Sequence, residues 1–152
     1  MLNIAMLARD NLVGKGYRVC LTRIKNETTL GNSERGDFAN SVGARLFVMI
    51  HLNGSSDPSV NYTSTFWGKQ RKDLVFSDYM LAALEDLTPG TGDFVGQFAN
   101  GALLSATMES TLTESVFLTN SAEGPALATE GSTRRVDIAT AIANGIDSYL
   151  SR

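Results

Sequence analysis

Leu46-Phe47-Val48-Met49-Ile50 is an unbroken apolar run of strand length, and it stops at His51-Leu52-Asn53. Alternation of apolar and polar residues marks a strand with one wet face. A continuous run marks one covered on both faces, as in a parallel sheet with helices above and below. The rest of the chain supplies such helices. Asp73 to Leu87 places Phe76, Met80, Ala83, Leu84 and Leu87 on one helical face before Pro89-Gly90 stops it, and about Arg134 to Leu150 carries Ile138, Ile142, Ile146, Tyr149 and Leu150 as a stripe. Strands alternating with helices predict an α/β fold with a mostly parallel sheet flanked by helices on both faces.

Further elements follow from local chemistry. Leu2, Ala5, Met6, Leu12 and Val13 form one face of a helix ended by Gly14 or Gly16, and Tyr17 to Arg23 reads as a strand. Lys25 to Ser33 is a polar loop. Ser33 is the expected N-cap of a short helix reaching about Gly43, with Phe38, Ala39 and Val42 inward. Gly54 to Ser59 reads as a loop, and Tyr62 to Trp67, Leu103 to Met108 and Thr111 to Leu118 as strands. A loop through Gly124, Pro125 and Gly131 leads to the last helix.

Composition narrows the function. At 152 residues and 43% hydrophobic, the chain suits a single domain with a real core. A net charge of −3 with scattered Lys and Arg makes no phosphate-tracking stripe, so no nucleic-acid partner is expected. The longest apolar run is far too short to span a membrane. The lone Cys20 makes neither an internal disulfide nor a paired-cysteine metal site. No signal peptide is visible at Met1.

Two residues stand out chemically. His51, the chain's single histidine, ends a predicted parallel strand, at the sheet edge where catalytic groups of open α/β sheets collect. The bland alternative is a hydrogen-bonded strand-end histidine. Glu114 is the sole charge in Thr111-Leu112-Thr113-Glu114-Ser115-Val116-Phe117-Leu118, and a carboxylate there must be paired, protonated or bound to something positive, unless it merely faces outward. Arg35 reads as a member of a structural ion pair, and Phe66 and Trp67 as core more than as a substrate platform. Neither a phosphate-binding glycine fingerprint at Gly14 and Gly16 nor a serine nucleophile elbow at Ser55 and Ser56 is present.

Several segments in order resemble the type 3 family of zinc-dependent N-acetylmuramoyl-L-alanine amidases. Gly16-Tyr17-Arg18-Val19-Cys20-Leu21-Thr22-Arg23 is similar to that family's G-Y-x-V-x-L-T-R segment. Ser33-Glu34-Arg35, Ala39-Asn40 and Ala44 to Asn53 are similar to its stretch ending in S-I-H-A-N, Glu114 to Asn120 to V-E-x-G-F-L-S-N, and Ile138 to Ile146 to I-A-x-A-I-A-x-G-I. The resemblance implies a hydrolase of the cell envelope, periplasmic or secreted, that cuts the amide between N-acetylmuramic acid and L-alanine of peptidoglycan. It implies a zinc cofactor with His51 as a metal ligand and Glu114 as the catalytic acid and base.

The family's first strand, its D-x-G-H-G turn and its glutamate ligand have no counterpart here, and Asp10, Glu27 and Glu34 do not replace them. The expectation is one amidase-like catalytic domain over residues 1–152, lacking the first strand and incomplete at its N-terminus. Two zinc ligands are then missing, so the chain alone is expected to be inactive, with an exposed sheet edge that favours association. Glu109, Arg45 and Val116 are milder departures. The alternative from another functional class is a degenerate, non-catalytic module that binds peptidoglycan or a partner.

Overall fold

The computed structural model describes residues 1–27 and 30–152; Thr28 and Thr29 of the expected polar loop lie outside the described residues. Six helices, α1 (Leu2–Gly14), α2 (Asn32–Ser41), α3 (Gln70–Leu84), α4 (Gly101–Ser105), α5 (Glu123–Ala128) and α6 (Thr133–Leu150), surround strands β1 (Leu46–Asn53), β2 (Ser64–Trp67), β3 (Phe94–Gln97) and β4 (Glu109–Phe117). The strand order is β1-β4-β2-β3. β1 runs parallel to β4 and β2 parallel to β3, while β2 and β4 are antiparallel. The expected α/β sheet with helices on both faces is therefore present.

Each face has its own core. On one, Ile4 and Ala8 of α1, Phe76, Met80 and Leu84 of α3, and Ile138, Ile142 and Tyr149 of α6 are buried together, with Leu46, Val48, Ile50 and Leu52 of β1 packed on them. On the other, Ala39 of α2 and Ala102 and Leu103 of α4 pack with Phe47, Met49 and Leu112, and Phe66 leans on them. β1 thus buries both alternating sets, which is why it reads as one apolar run.

The helix–sheet contact under α3 is polar yet satisfied. Thr65 Oγ1 donates to the Ser77 carbonyl (2.9 Å), and the hydroxyls of Ser77 and Thr111 lie 2.9 Å apart. Asp73, wholly buried, accepts from the backbone N–H of Lys69 (2.8 Å), Gly68 (3.2 Å) and Ser110 (2.9 Å), and pairs with the Lys72 ammonium. That carboxylate fastens α3 to the ends of β2 and β4.

Several expectations need correction, among them the inner face of α1, which is Ile4, Ala8 and Leu12 with Val13 exposed. Tyr17 to Arg23 is not a strand: no described strand pairs with it, and an extended segment without a ladder partner keeps no sheet structure. Leu103 to Met108 is not a strand either, because the Asn100 side chain caps the Ala102 N–H (2.9 Å) and starts α4, which buries Leu103. The loop through Gly124 and Pro125 contains α5, whose first turn tolerates proline because N–H groups there need no helical partner. Helix α2 begins at Gly31, not Ser33; the Glu34 carboxylate reaches back to the Gly31 N–H at 2.6 Å. Strand β3 was not anticipated at all.

Candidate active site

His51 and Glu114, on different strands, are direct register partners across the parallel β1–β4 pair. Paired residues project from the same face, and neighbouring strands lie about 4.8 Å apart. Both stand on the face of Phe47, Met49 and Leu112, towards the C-terminal end of β1 and β4, above the part that α2 and α4 cover. Just beyond them the register jumps from His51–Glu114 to Asn53–Phe117, so Ser115 and Val116 both oppose Leu52. Such a bulge bends the strand and re-aims the side chains beside it. Ser115, inside it, carries a buried hydroxyl with no partner among the described residues, while its carbonyl accepts from Thr63 Oγ1 (2.8 Å).

Two neutral donors hold Glu114. Asn53 Nδ2 donates to Oε2 at 2.6 Å, and the Ser64 hydroxyl to the same oxygen at 3.3 Å. Asn53 is itself fixed, because its Oδ1 accepts the Gly54 N–H at 2.7 Å. Oε1 accepts no hydrogen bond from a described residue. Burial pushes the Glu114 carboxyl above its ordinary value, against a smaller opposing effect of Ser64. The imidazole of His51 moves the other way: burial, aided by the Arg35 guanidinium, holds it below its ordinary value and so neutral at neutral pH. A neutral imidazole is the form that ligates metal.

The other singled-out residues fall elsewhere. Among the described residues Arg35 makes no ion pair; its Nη1 donates to Thr22 Oγ1 (3.1 Å), and its charge acts on His51. The expected structural ion pair is therefore replaced by a hydroxyl contact. Phe66 lies half-buried against the lower core, in edge contact with Phe94 and Phe98. Glu34 caps α2, Asp10 pairs with Arg9, and Ser55 takes part in the loop after β1. Among the described residues, no three His, Cys, Asp or Glu side chains come together as a metal-binding group. Zinc sites use three or four protein donors, a number the described residues do not bring together.

Asn53 joins the His51–Glu114 pair through its bond to Glu114, and it lies two positions beyond His51 and therefore on the same face. The Glu123 carboxylate takes both Nε (2.7 Å) and Nη2 (2.5 Å) of Arg134 and also Asn61 Nδ2 (3.1 Å). Asn61 Oδ1 in turn accepts the Phe117 N–H (3.0 Å), so this network ties α5 and α6 to the end of β4 just past the bulge.

The whole fold is shared with a solved amidase catalytic domain. The catalytic domain of CwlV, an N-acetylmuramoyl-L-alanine amidase from Bacillus (Paenibacillus) polymyxa var. colistinus, superposes with a TM-score of 0.87 at 28% identity, over 99% of this chain and 82% of that one. AmiC2 of Nostoc punctiforme, also such an amidase, gives 0.87 at 24% identity over the same shares. The CwlD amidase of Clostridioides difficile, solved in complex with the GerS lipoprotein, gives 0.85 at 24%, over 99% and 84%. The N-acetylmuramoyl-L-alanine amidase family model matches residues 1–148, and the chain belongs to that family. A search by sequence among curated proteins finds no match. No described helix is long and apolar enough to cross a membrane.

Proposed function

We propose that Glu114 is the acid–base residue of an amide hydrolysis at the junction of N-acetylmuramic acid and L-alanine, carried out in the cell envelope or outside the cell, with His51 beside it as a metal-ligating imidazole. The observation that carries this reading is the register pairing of the two residues, with Asn53 bonded to the carboxylate at 2.6 Å. Because Asn53 and Ser64 both engage Oε2, Oε1 is left for a proton in transit. Glu114 would accept a proton from the attacking water as its hydroxyl adds to the lactyl carbonyl carbon. It would then deliver that proton to the alanine nitrogen as the C–N bond breaks. A carboxyl whose proton affinity burial has raised suits both steps.

In this family zinc supplies Lewis-acid polarisation of the carbonyl and of water. His51 and Glu114 fall short of a full ligand set, so no step is assigned to zinc in this chain, and its affinity for zinc is proposed to be low. The same shortage favours a second reading, a non-catalytic module that binds peptidoglycan or a partner. Zinc titration and muropeptide assays test both. The expected results are weak zinc binding that His51→Ala removes, and amide shifts at His51, Asn53 and Glu114 on adding a muramoyl peptide. Stoichiometric zinc that survives His51→Ala, or shifts confined to another surface, would overturn the proposal. Release of L-alanyl peptide in excess zinc decides for the enzyme; binding without release decides for the module.

A further inference from the structure

Glu114 belongs to a row that crosses the whole sheet. His51 of β1 registers with Glu114 of β4, Glu114 with Ser64 of β2, and Ser64 with Phe94 of β3. At a strand spacing of about 4.8 Å, Phe94 stands about 10 Å from Glu114, on the same face. Ser64 is fully buried, yet Phe94 is 42% exposed and Phe98 is 48% exposed. Both rings rest on Phe66, with centroids 5.8 Å and 6.0 Å away in edge-to-face geometry. Gly96 between them makes room for this: a Cβ there would come within 3.0 Å of the Phe66 ring and 3.1 Å of Phe94. The result is a fixed aromatic shelf beside the candidate site, with its upper surface open to solvent.

The two ends of the row differ in charge. At the β1 end Arg35 places a cation close to His51. At the β3 end the charge next to the row is acidic: Asp93 directly precedes Phe94, and Glu85 and Asp86, which follow α3 on the other face of the sheet, share a loop cavity with Asp93. The substrate bond joins two chemically different halves, an N-acetylated glycan of neutral sugar rings and a peptide stem bearing carboxylates. An acidic stem is repelled by the β3 end and attracted by Arg35. Sugar C–H groups, by contrast, suit the electron-rich face of an aromatic ring.

We propose that Phe94 and Phe98, seated on Phe66, form a subsite on which a sugar ring of the glycan strand stacks, with the peptide stem directed towards Arg35. This rests on the amidase reading of the His51–Glu114 site. NMR titration of the full chain with an N-acetylglucosamine tetramer, and separately with an acidic L-alanyl stem peptide, tests it. Phe94→Ala with Phe98→Ala should weaken tetramer binding about tenfold, while Phe94→Tyr, which keeps the ring, stays within about twofold. The stem peptide should bind the alanine variant unchanged. Unaltered amide signals for β2 and β4 show that the variants fold. Equal tetramer affinity in the alanine variant, or loss of stem-peptide binding in its place, overturns the shelf. If that variant also binds a muramoyl peptide as the parent does, with shifts at His51 and Glu114, the shelf falls and the amidase reading stands. A parent chain that binds neither tetramer nor muramoyl peptide overturns both.

Discussion

Replacing Asp73 by alanine tests whether the sheet is held in place by a buried charge. The side chain is fully inaccessible, and its two oxygens serve three backbone N–H groups, the Ser110 hydroxyl (3.1 Å) and the Lys72 ammonium. Lys69 is exposed, so water replaces the carboxylate there. Gly68 and Ser110 are buried and lose an acceptor outright. An unsatisfied buried donor costs about 1–3 kcal/mol, and breaking a buried ion pair about 3–5 kcal/mol. Lys72 softens the loss because it is 19% exposed and retains the Met108 carbonyl and the Ser110 hydroxyl. The expected destabilisation of Asp73→Ala is therefore about 4 kcal/mol, the middle of the pair-breaking range and not the sum of all these losses. For a chain of this length that lowers Tm by about 8–16 °C. Lys72→Met should cost less, about 1–2 kcal/mol, because Asp73 keeps its four other donors. Urea unfolding followed by circular dichroism measures both. A loss below about 1 kcal/mol for Asp73→Ala would refute the argument, since it would mean that the buried donors find other partners.

Two further outcomes follow from the same structure. Burial raises the Glu114 carboxyl above its ordinary value of 4.5, so the folded state binds this proton more tightly than the unfolded chain does. Its stabilising contribution is present below the unfolded value and lost as pH rises through the folded one. Glu114→Gln in chelator-treated protein should accordingly melt higher than the parent at pH 7, with the gap closing in acid; a gap that widens in acid contradicts this. Gly36→Ala should cost about 1–3 kcal/mol by overpacking. An added Cβ there meets the Ala102 carbonyl oxygen and Ser105 Oγ at 2.5 Å each, where α2 crosses α4, and unchanged urea unfolding would show that the two helices can separate freely.

The legible parts of the fold were those whose burial repeats with the period of the element. Strand β1, the apolar stripe of α3 and that of α6 turn the residues that the pattern selects inward, some fully buried, as Phe76, Met80, Ile138 and Ile142 are, and others partly, as Leu46, Val48 and Ile146 are. The illegible parts were decided by partners or by short-range polar contacts. Tyr17 to Arg23 has strand composition but pairs with no described strand. Leu103 has strand-like neighbours, but the Asn100 cap turns them into a helix. Strand β3 is four residues long, interrupted by Gly96 and half-exposed, so no periodicity announces it.

The site divides in the same way, and β4 shows why. Thr111, Thr113 and Ser115 make it too polar for a conventional core strand, yet all three are buried. Two of these hydroxyls are matched, Thr111 by Ser77 and the Phe66 carbonyl, and Thr113 by the Met49 carbonyl. A polar strand can therefore sit mid-sheet when its neighbours answer it group by group. Glu114 breaks that rule: among the described residues its Oε2 is answered twice by neutral donors, its Oε1 by none, and no Lys or Arg forms an ion pair with it. Composition alone exposed the anomaly, because Glu114 is the sole charge of its segment. Its meaning needed the register, which sets His51 beside it and Asn53 against it across a separation no local pattern encodes. The sheet satisfies nearly every buried hydroxyl but leaves one carboxylate half-buried, raised in proton affinity and open on one oxygen, the atom through which the proposed function would pass its proton.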